Sequence, residues 1–103
     1  MMVNNSWITY IQMIVKKINL VGNDIQLFLF GSALTQPDPR DIDLLMVYNI
    51  DSINIKKVID IRKKLTKILQ EKMQIPVDIC ALSNCETKTN SFIKDEKAIK
   101  IYG

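Results

Sequence analysis

Histidine is absent from this sequence of 103 residues, and cysteine occurs only twice, at positions 80 and 85. Because zinc sites are built mainly from these two residue types, we do not expect one here. We interpret Cys80 and Cys85 as reduced thiols; the alternative is a disulfide, which only their proximity favours. Glycine and proline occur three times each and mark no linker, repeat or low-complexity segment, so we expect a single domain over residues 1–103.

Long apolar segments and dense basic clusters are also missing. No segment approaches the roughly 18 apolar residues of a membrane span, and residues 1–6 lack the basic and apolar regions of a signal peptide. We therefore expect a cytoplasmic protein that does not associate with membranes. The net charge of +3 comes without basic residues interleaved with aromatics, so nucleic acid is not the expected substrate. This mild positive charge suits a smaller anion such as a nucleotide.

Apolar residues recur at helical spacing in two segments. The first segment predicts a helix over residues 6–20, with Ser6 as its N-cap and Gly22 near its C-terminal end. The second predicts a longer helix over residues 53–73. The apolar stripes of the two helices consist of Trp7, Ile8, Ile11, Ile14, Val15 and Ile18, and of Val58, Ile61, Leu65, Ile68 and Leu69.

Three apolar runs predict buried strands over residues 25–30, 41–48 and 76–82. Between the first two, a short helical turn is expected over residues 33–35, after which Pro37 and Pro39 exclude regular structure. Residues 83–91 are polar and predict a loop, while residues 92–102 fit a helix or an edge strand equally well. The order α-β-β-α-β predicts an α/β (α+β) fold, with a small mixed sheet, helices packed on one face and the other face open.

Two aspartates interrupt the second predicted strand, and a third interrupts the last. Side chains alternate across a strand, so Asp41 and Asp43 share one face. Asp78 has apolar neighbours on both sides and can meet the other two if the strands are adjacent. Three such carboxylates repel one another unless a cation lies between them. Oxygen ligands favour a hard cation, so we predict Asp41, Asp43 and Asp78 as Mg²⁺ ligands, with a proton-accepting role as the alternative for Asp78.

The first predicted strand ends abruptly at Gly31 and Ser32. Glycine lets the backbone approach a ligand closely, the Ser32 hydroxyl can donate, and free N–H groups of a turn can bind phosphate oxygens. We interpret Arg40 as a solvated loop residue, with a phosphate contact as the alternative. The same two interpretations apply to the lysines of the second helix, Lys56, Lys57, Lys63, Lys64 and Lys67. A phosphate-binding turn beside a metal site is what phosphoryl or nucleotidyl transfer requires.

In these segments the sequence resembles the DNA polymerase β-type nucleotidyltransferase superfamily, and within it the minimal nucleotidyltransferases, which are small prokaryotic domains. The matching residues are Leu29-Phe30-Gly31-Ser32, Asp41-Ile42-Asp43-Leu44-Leu45 and Pro76-Val77-Asp78-Ile79. The order of elements fits over roughly residues 6–102, which implies a nucleotidyltransferase-like core. Larger relatives use a further domain to hold the base or the acceptor, so a minimal chain is expected to take that surface from a second copy or a partner.

The resemblance implies a role for each matching residue. Gly31 and Ser32 contact the triphosphate, Asp41 and Asp43 coordinate Mg²⁺, and Asp78 completes the metal site or activates the attacking hydroxyl. The implied reaction moves a nucleoside monophosphate, AMP from ATP, to an acceptor hydroxyl and releases pyrophosphate. Relatives of this size resemble the antitoxin of a toxin–antitoxin pair, whose partner is an all-helical HEPN-type ribonuclease. The implied acceptor is then a hydroxyl group of that toxin.

Two other functions are compatible with the same residues. One is a binding module that neutralises a partner by contact and catalyses nothing. The other is a nucleotidyltransferase acting on a small molecule such as an antibiotic, which the lack of an acceptor-binding domain disfavours.

Overall fold

The computed structural model describes residues 6–18, 24–31, 40–89 and 91–103. The described residues form α1 (Ser6–Ile18), β1 (Ile25–Phe30), β2 (Ile42–Tyr48), α2 (Ile55–Met73), β3 (Val77–Ser83), α3 (Asn84–Thr89), α4 (Phe92–Asp95) and β4 (Ile99–Tyr102). The strands form a sheet in the order β3-β2-β1-β4. Strands β2 and β3 are parallel, whereas β1 is antiparallel to both β2 and β4. The predicted α+β fold with a small mixed sheet is confirmed.

Helix α2 connects the two parallel strands, and local interactions fix both of its ends. The side chain of Asn54, the N-cap, accepts a hydrogen bond from the Lys57 N–H at 2.9 Å. At the other end Gln74 adopts the left-handed conformation with φ 58°, and its N–H donates to the Gln70 carbonyl at 2.8 Å. This C-cap ends the helix and turns the chain into β3.

The two faces of the sheet are covered unequally. Helices α1 and α2 cover one face, and the main hydrophobic cluster lies there. Among the side chains of the two predicted stripes that the structure describes, the fully or nearly fully buried ones are Ile11, Ile14, Val15, Val58, Leu65 and Leu69. The opposite face carries a smaller cluster, consisting of Phe28, Leu45 and Val47 with Phe30, Leu82, Ile93 and Ala98 packed against it. The expectation of an open second face is therefore wrong over this smaller cluster, because the segment after β3 packs on it.

The segment after β3 differs most from the prediction. Most of the predicted loop forms α3, which begins with a reciprocal capping box. The Ser83 hydroxyl accepts the Glu86 N–H at 3.1 Å, and Glu86 Oε1 accepts the Ser83 N–H at 2.9 Å. Residues 92–102 were predicted to form either a helix or an edge strand. They form both, first the short α4 and then β4, which pairs with β1 at the edge of the sheet.

Some predictions fall outside the described residues, namely those for Ser32, for the turn at 33–35, for the two prolines that follow it and for Gly22. Cys80 and Cys85 are both exposed and are not joined in a disulfide, in agreement with the predicted reduced thiols. Within the described ranges, no helix combines the length and the apolar character needed to cross a membrane.

Candidate functional site

The parallel pairing of β2 and β3 places two of the predicted acids directly beside each other. Asp43 and Asp78 are register partners, so their side chains lie on the same face of the sheet. Their neighbours Ile42 and Val77 point to the other face and are buried in the main cluster. Asp41 is exposed and immediately precedes β2. The predicted adjacency of the strands that carry the acids is confirmed.

Gly31 brings the end of β1 against the same carboxylate. Its φ is 82°, in the left-handed region, and a Cβ at this position would lie 2.7 Å from Asp43 Oδ2. Glycine is therefore required here for two reasons, the backbone conformation and the close approach of the carboxylate. Gly31, at which the predicted phosphate-binding turn begins, therefore lies next to Asp43.

Burial and two neighbouring negative charges act on the Asp43 carboxyl. Loss of hydration on burial, followed by the negative charges of Asp41 and then Asp78, raises the pKa of the Asp43 carboxyl above its ordinary value. The pKa of the neighbouring Cys80 thiol is also raised, first by burial and then by Asp78 and Asp43, while Arg62 opposes the shift. The site thus concentrates negative charge, and a cation bound there would relieve the repulsion.

The donor set fits magnesium in its chemistry. Carboxylate oxygens are hard ligands of the kind that Mg²⁺ prefers. Among the described residues, however, no group of three or more acids, cysteines or histidines is close enough to form a metal site by itself. This geometry is compatible with Mg²⁺, because the ion is commonly held by one or two carboxylates, several waters and the phosphates of the substrate.

A phosphate contact was predicted for Ser32 and, as the alternative to a solvated position, for Arg40. Arg40 is exposed and adjoins Asp41 in the chain, and Ser32 lies outside the described residues.

Arg62 was not predicted from the sequence. Its charge acts on Cys80, and it lines a groove of about 430 Å³ between α2 and the β3 edge, together with Lys63, Thr66, Lys67, Gln70, Val77, Asp78 and Ile79.

The sequence of α2 nevertheless contains a signal for this groove. Positions 62, 63, 66, 67 and 70 recur at helical spacing, so they lie on one face of α2. The lysines of α2 are therefore not equivalent. Lys63 and Lys67 line the groove beside Asp78, whereas Lys64 lines a different groove, between α1 and α2.

The first prediction concerns Gly31. Replacing Gly31 with alanine should destabilise the protein by about 1–2 kcal/mol, because an L-residue is disfavoured in the left-handed conformation. The added methyl group should also force the Asp43 carboxylate to rotate away. Urea denaturation of G31A, D43A and the double variant measures both effects.

The double variant should lose less stability than the sum of the two single variants, because D43A removes the oxygen that the methyl group meets. Strict additivity would show that Gly31 and Asp43 do not interact.

The second prediction concerns the pKa of Asp43. Replacing Asp78 with asparagine should lower this pKa toward its ordinary value without restoring it fully, because burial and Asp41 still act. A carboxyl-carbon NMR titration measures the pKa of Asp43 in wild type and in D78N. The control is the Asp60→Asn variant, in which an exposed aspartate is replaced. An unchanged Asp43 titration in D78N would contradict the proximity of the two acids.

The sign of the effect on stability follows from the raised pKa. The folded state holds the Asp43 proton more tightly than the unfolded state, so the protein loses stability as the pH rises from the ordinary aspartate pKa through the raised one. Asp43→Asn should therefore be more stable relative to wild type above this window than below it.

Comparison with known proteins leaves the family open. No protein-family model matches the sequence, and no curated protein matches it either.

Proposed function

We propose that this protein is a Mg²⁺-dependent nucleotidyltransferase that moves AMP from ATP to a hydroxyl group of a partner protein. The observation that carries the proposal is that two other segments of the chain, the end of β1 and strand β3, approach the Asp43 carboxylate. Asp78 lies beside Asp43 in the parallel ladder, Asp41 precedes Asp43 by two residues, and a Cβ at Gly31 would lie 2.7 Å from Asp43 Oδ2. The proximity of Gly31 to acids on neighbouring strands supports the proposal, because the sequence resemblance assigns these residues to one site.

The chemistry of the proposed site follows from its residues. Asp43, with Asp41 beside it, would hold magnesium, which when bound neutralises negative charge on the triphosphate. The acceptor oxygen forms a bond to the α-phosphorus of ATP while the bond to pyrophosphate breaks. The hydroxyl proton passes to the Asp78 carboxylate, which is exposed and can be reached from solvent. Gly31 leaves room for the triphosphate beside Asp43, since it carries no side chain.

The third prediction is Mg²⁺-dependent binding of nucleotide. Titration calorimetry with a non-hydrolysable ATP analogue should detect binding to wild type that EDTA abolishes. The Asp43→Asn variant should bind at least about tenfold more weakly, because hydrogen bonds and contacts to charged groups contribute about 1.5 kcal/mol or more. Asp60→Asn is the matched control, since it makes the same chemical change on an exposed part of α2, and it should bind like wild type. Equal affinities of Asp43→Asn and wild type would contradict the proposal.

The fourth prediction is transfer of label from ATP to protein. The resemblance implies that the acceptor is an all-helical HEPN-type toxin, so a toxin of this kind is incubated with α-³²P-labelled ATP and Mg²⁺. Wild type and Asp60→Asn should label it, and Asp43→Asn and Asp78→Asn should reduce the rate by at least about a hundredfold.

This assay also separates catalysis from simple neutralisation by contact. If the variants at Asp43 and Asp78 protect cells from the toxin as well as wild type does, the protein acts as a binding module. Labelling that persists in Asp43→Asn would rule out the site.

A further inference from the structure

Strand β3 is an outer strand of the sheet, and its backbone shows which groups face outward. The Ile42 N–H donates to the Pro76 carbonyl at 2.9 Å, and the register of the parallel ladder fixes the rest of the pattern. Alternate residues of a strand direct their backbone groups to opposite sides. Those of Asp78 and Cys80 therefore face β2, and those of Val77, Ile79, Ala81 and Ser83 face away from it.

Within the described ranges, side chains cap this outer edge at both ends and leave its middle open. Gln70 Oε1 accepts the Val77 N–H at 3.1 Å, and Glu86 Oε1 accepts the Ser83 N–H at 2.9 Å. Between these caps lie the outward backbone groups of Ile79 and Ala81, and the described part of the chain places no strand beyond them. Two donors and two acceptors at a sheet edge are suited to pairing with one short extended segment.

The charged side chains beside this edge determine which kind of extended segment can bind there. Arg62, Lys63 and Lys67 line the groove on the α2 side, while Asp78 is the acid among its lining residues. A second copy of this chain pairing through the same edge would bring these cations close to their own counterparts, which is unfavourable. An extended segment with acidic side chains facing α2 would instead be attracted.

We propose that the β3 edge binds the acceptor through an extended segment in which acidic residues flank the hydroxyl-bearing residue. The side chains of an added strand alternate between the two faces of the sheet. Acidic residues on the α2 side pair with Lys63 and Lys67, and the residue between them then faces the side on which Asp78 and Asp43 lie. The identification of this segment as the acceptor rests on the proposed function; the binding of an acidic strand does not.

Binding is tested with ¹⁵N-labelled protein and a synthetic peptide of about eight residues that contains Glu-Tyr-Glu flanked by valines. The amide signals of Ile79 and Ala81 should shift, and their hydrogen exchange should slow at least about tenfold on saturation. A peptide with lysine in place of glutamate should produce no shift at these amides. Equal binding of both peptides, or no shift at Ile79 and Ala81 with millimolar acidic peptide, would overturn the proposal.

Two charge-reversed variants test the role of the basic side chains. The Lys63→Glu/Lys67→Glu protein should bind the acidic peptide about tenfold more weakly, because two attractions become repulsions. The Lys57→Glu/Lys64→Glu protein carries the same change of charge on the same helix, outside this groove, and should lose less than twofold. Equal losses in the two variants would show that only net charge matters and would overturn the proposal.

Two further outcomes identify other uses of the groove. If Lys63→Glu/Lys67→Glu dimerises and wild type binds no peptide, the lysines protect the edge against self-pairing, and the proposal fails. If inorganic pyrophosphate alone shifts the Ile79 and Ala81 amides as the peptide does, the groove is an anion site, and the proposal also fails.

Peptide binding does not require catalysis, so the Asp43→Asn variant should bind the peptide like wild type. Peptide binding without label transfer would count against the proposed function alone. Label transfer without peptide binding would count against the groove alone.

Discussion

The parallel pairing of β2 with β3 is the constraint on which the candidate site depends. Side chains alternate with a period of two, so a single register places Asp43 beside Asp78 and keeps Leu44 beside Ile79 in the core. A slip of one residue would turn Asp78 toward the helices and remove Ile79 from the main cluster. The core thus enforces the register, and the register brings the carboxylates together.

The energetic balance explains why the sheet tolerates this repulsion. Full burial of an aliphatic side chain contributes about 1.5–3 kcal/mol, and Ile42, Leu44, Val77 and Ile79 are all at least nine-tenths buried. The acids lie on the opposite face, where Asp41 and Asp78 are exposed and Asp43 is only half-buried, so water screens much of their mutual repulsion. Burial of the apolar side chains therefore outweighs the repulsion between the three carboxylates on the other face.

Most of the fold could be predicted because its signals are local and strong. The stripes of α1 and α2 and the three apolar runs predicted helices and strands that the structure confirms within a few residues. The C-terminal region could not be predicted in the same way. Strand β4 has four residues and is fixed by pairing with β1, about seventy residues earlier in the chain, and such pairing leaves little trace in local periodicity. The capping box of Ser83 and Glu86, in contrast, was visible in the sequence and was missed.

The candidate site was predictable only in part, for a related reason. Alternation along β2 and β3 shows which acids can share a face, but it does not show how α2 is rotated about its axis. That rotation depends on how Val58, Leu65 and Leu69 pack against the sheet. Once they are buried, Lys63 and Lys67 lie along the β3 edge and Lys64 lies toward α1. The packing that sets the register of the acids thus also sets the position of the cations, so a strand that pairs with β3 would meet both charges at a fixed spacing.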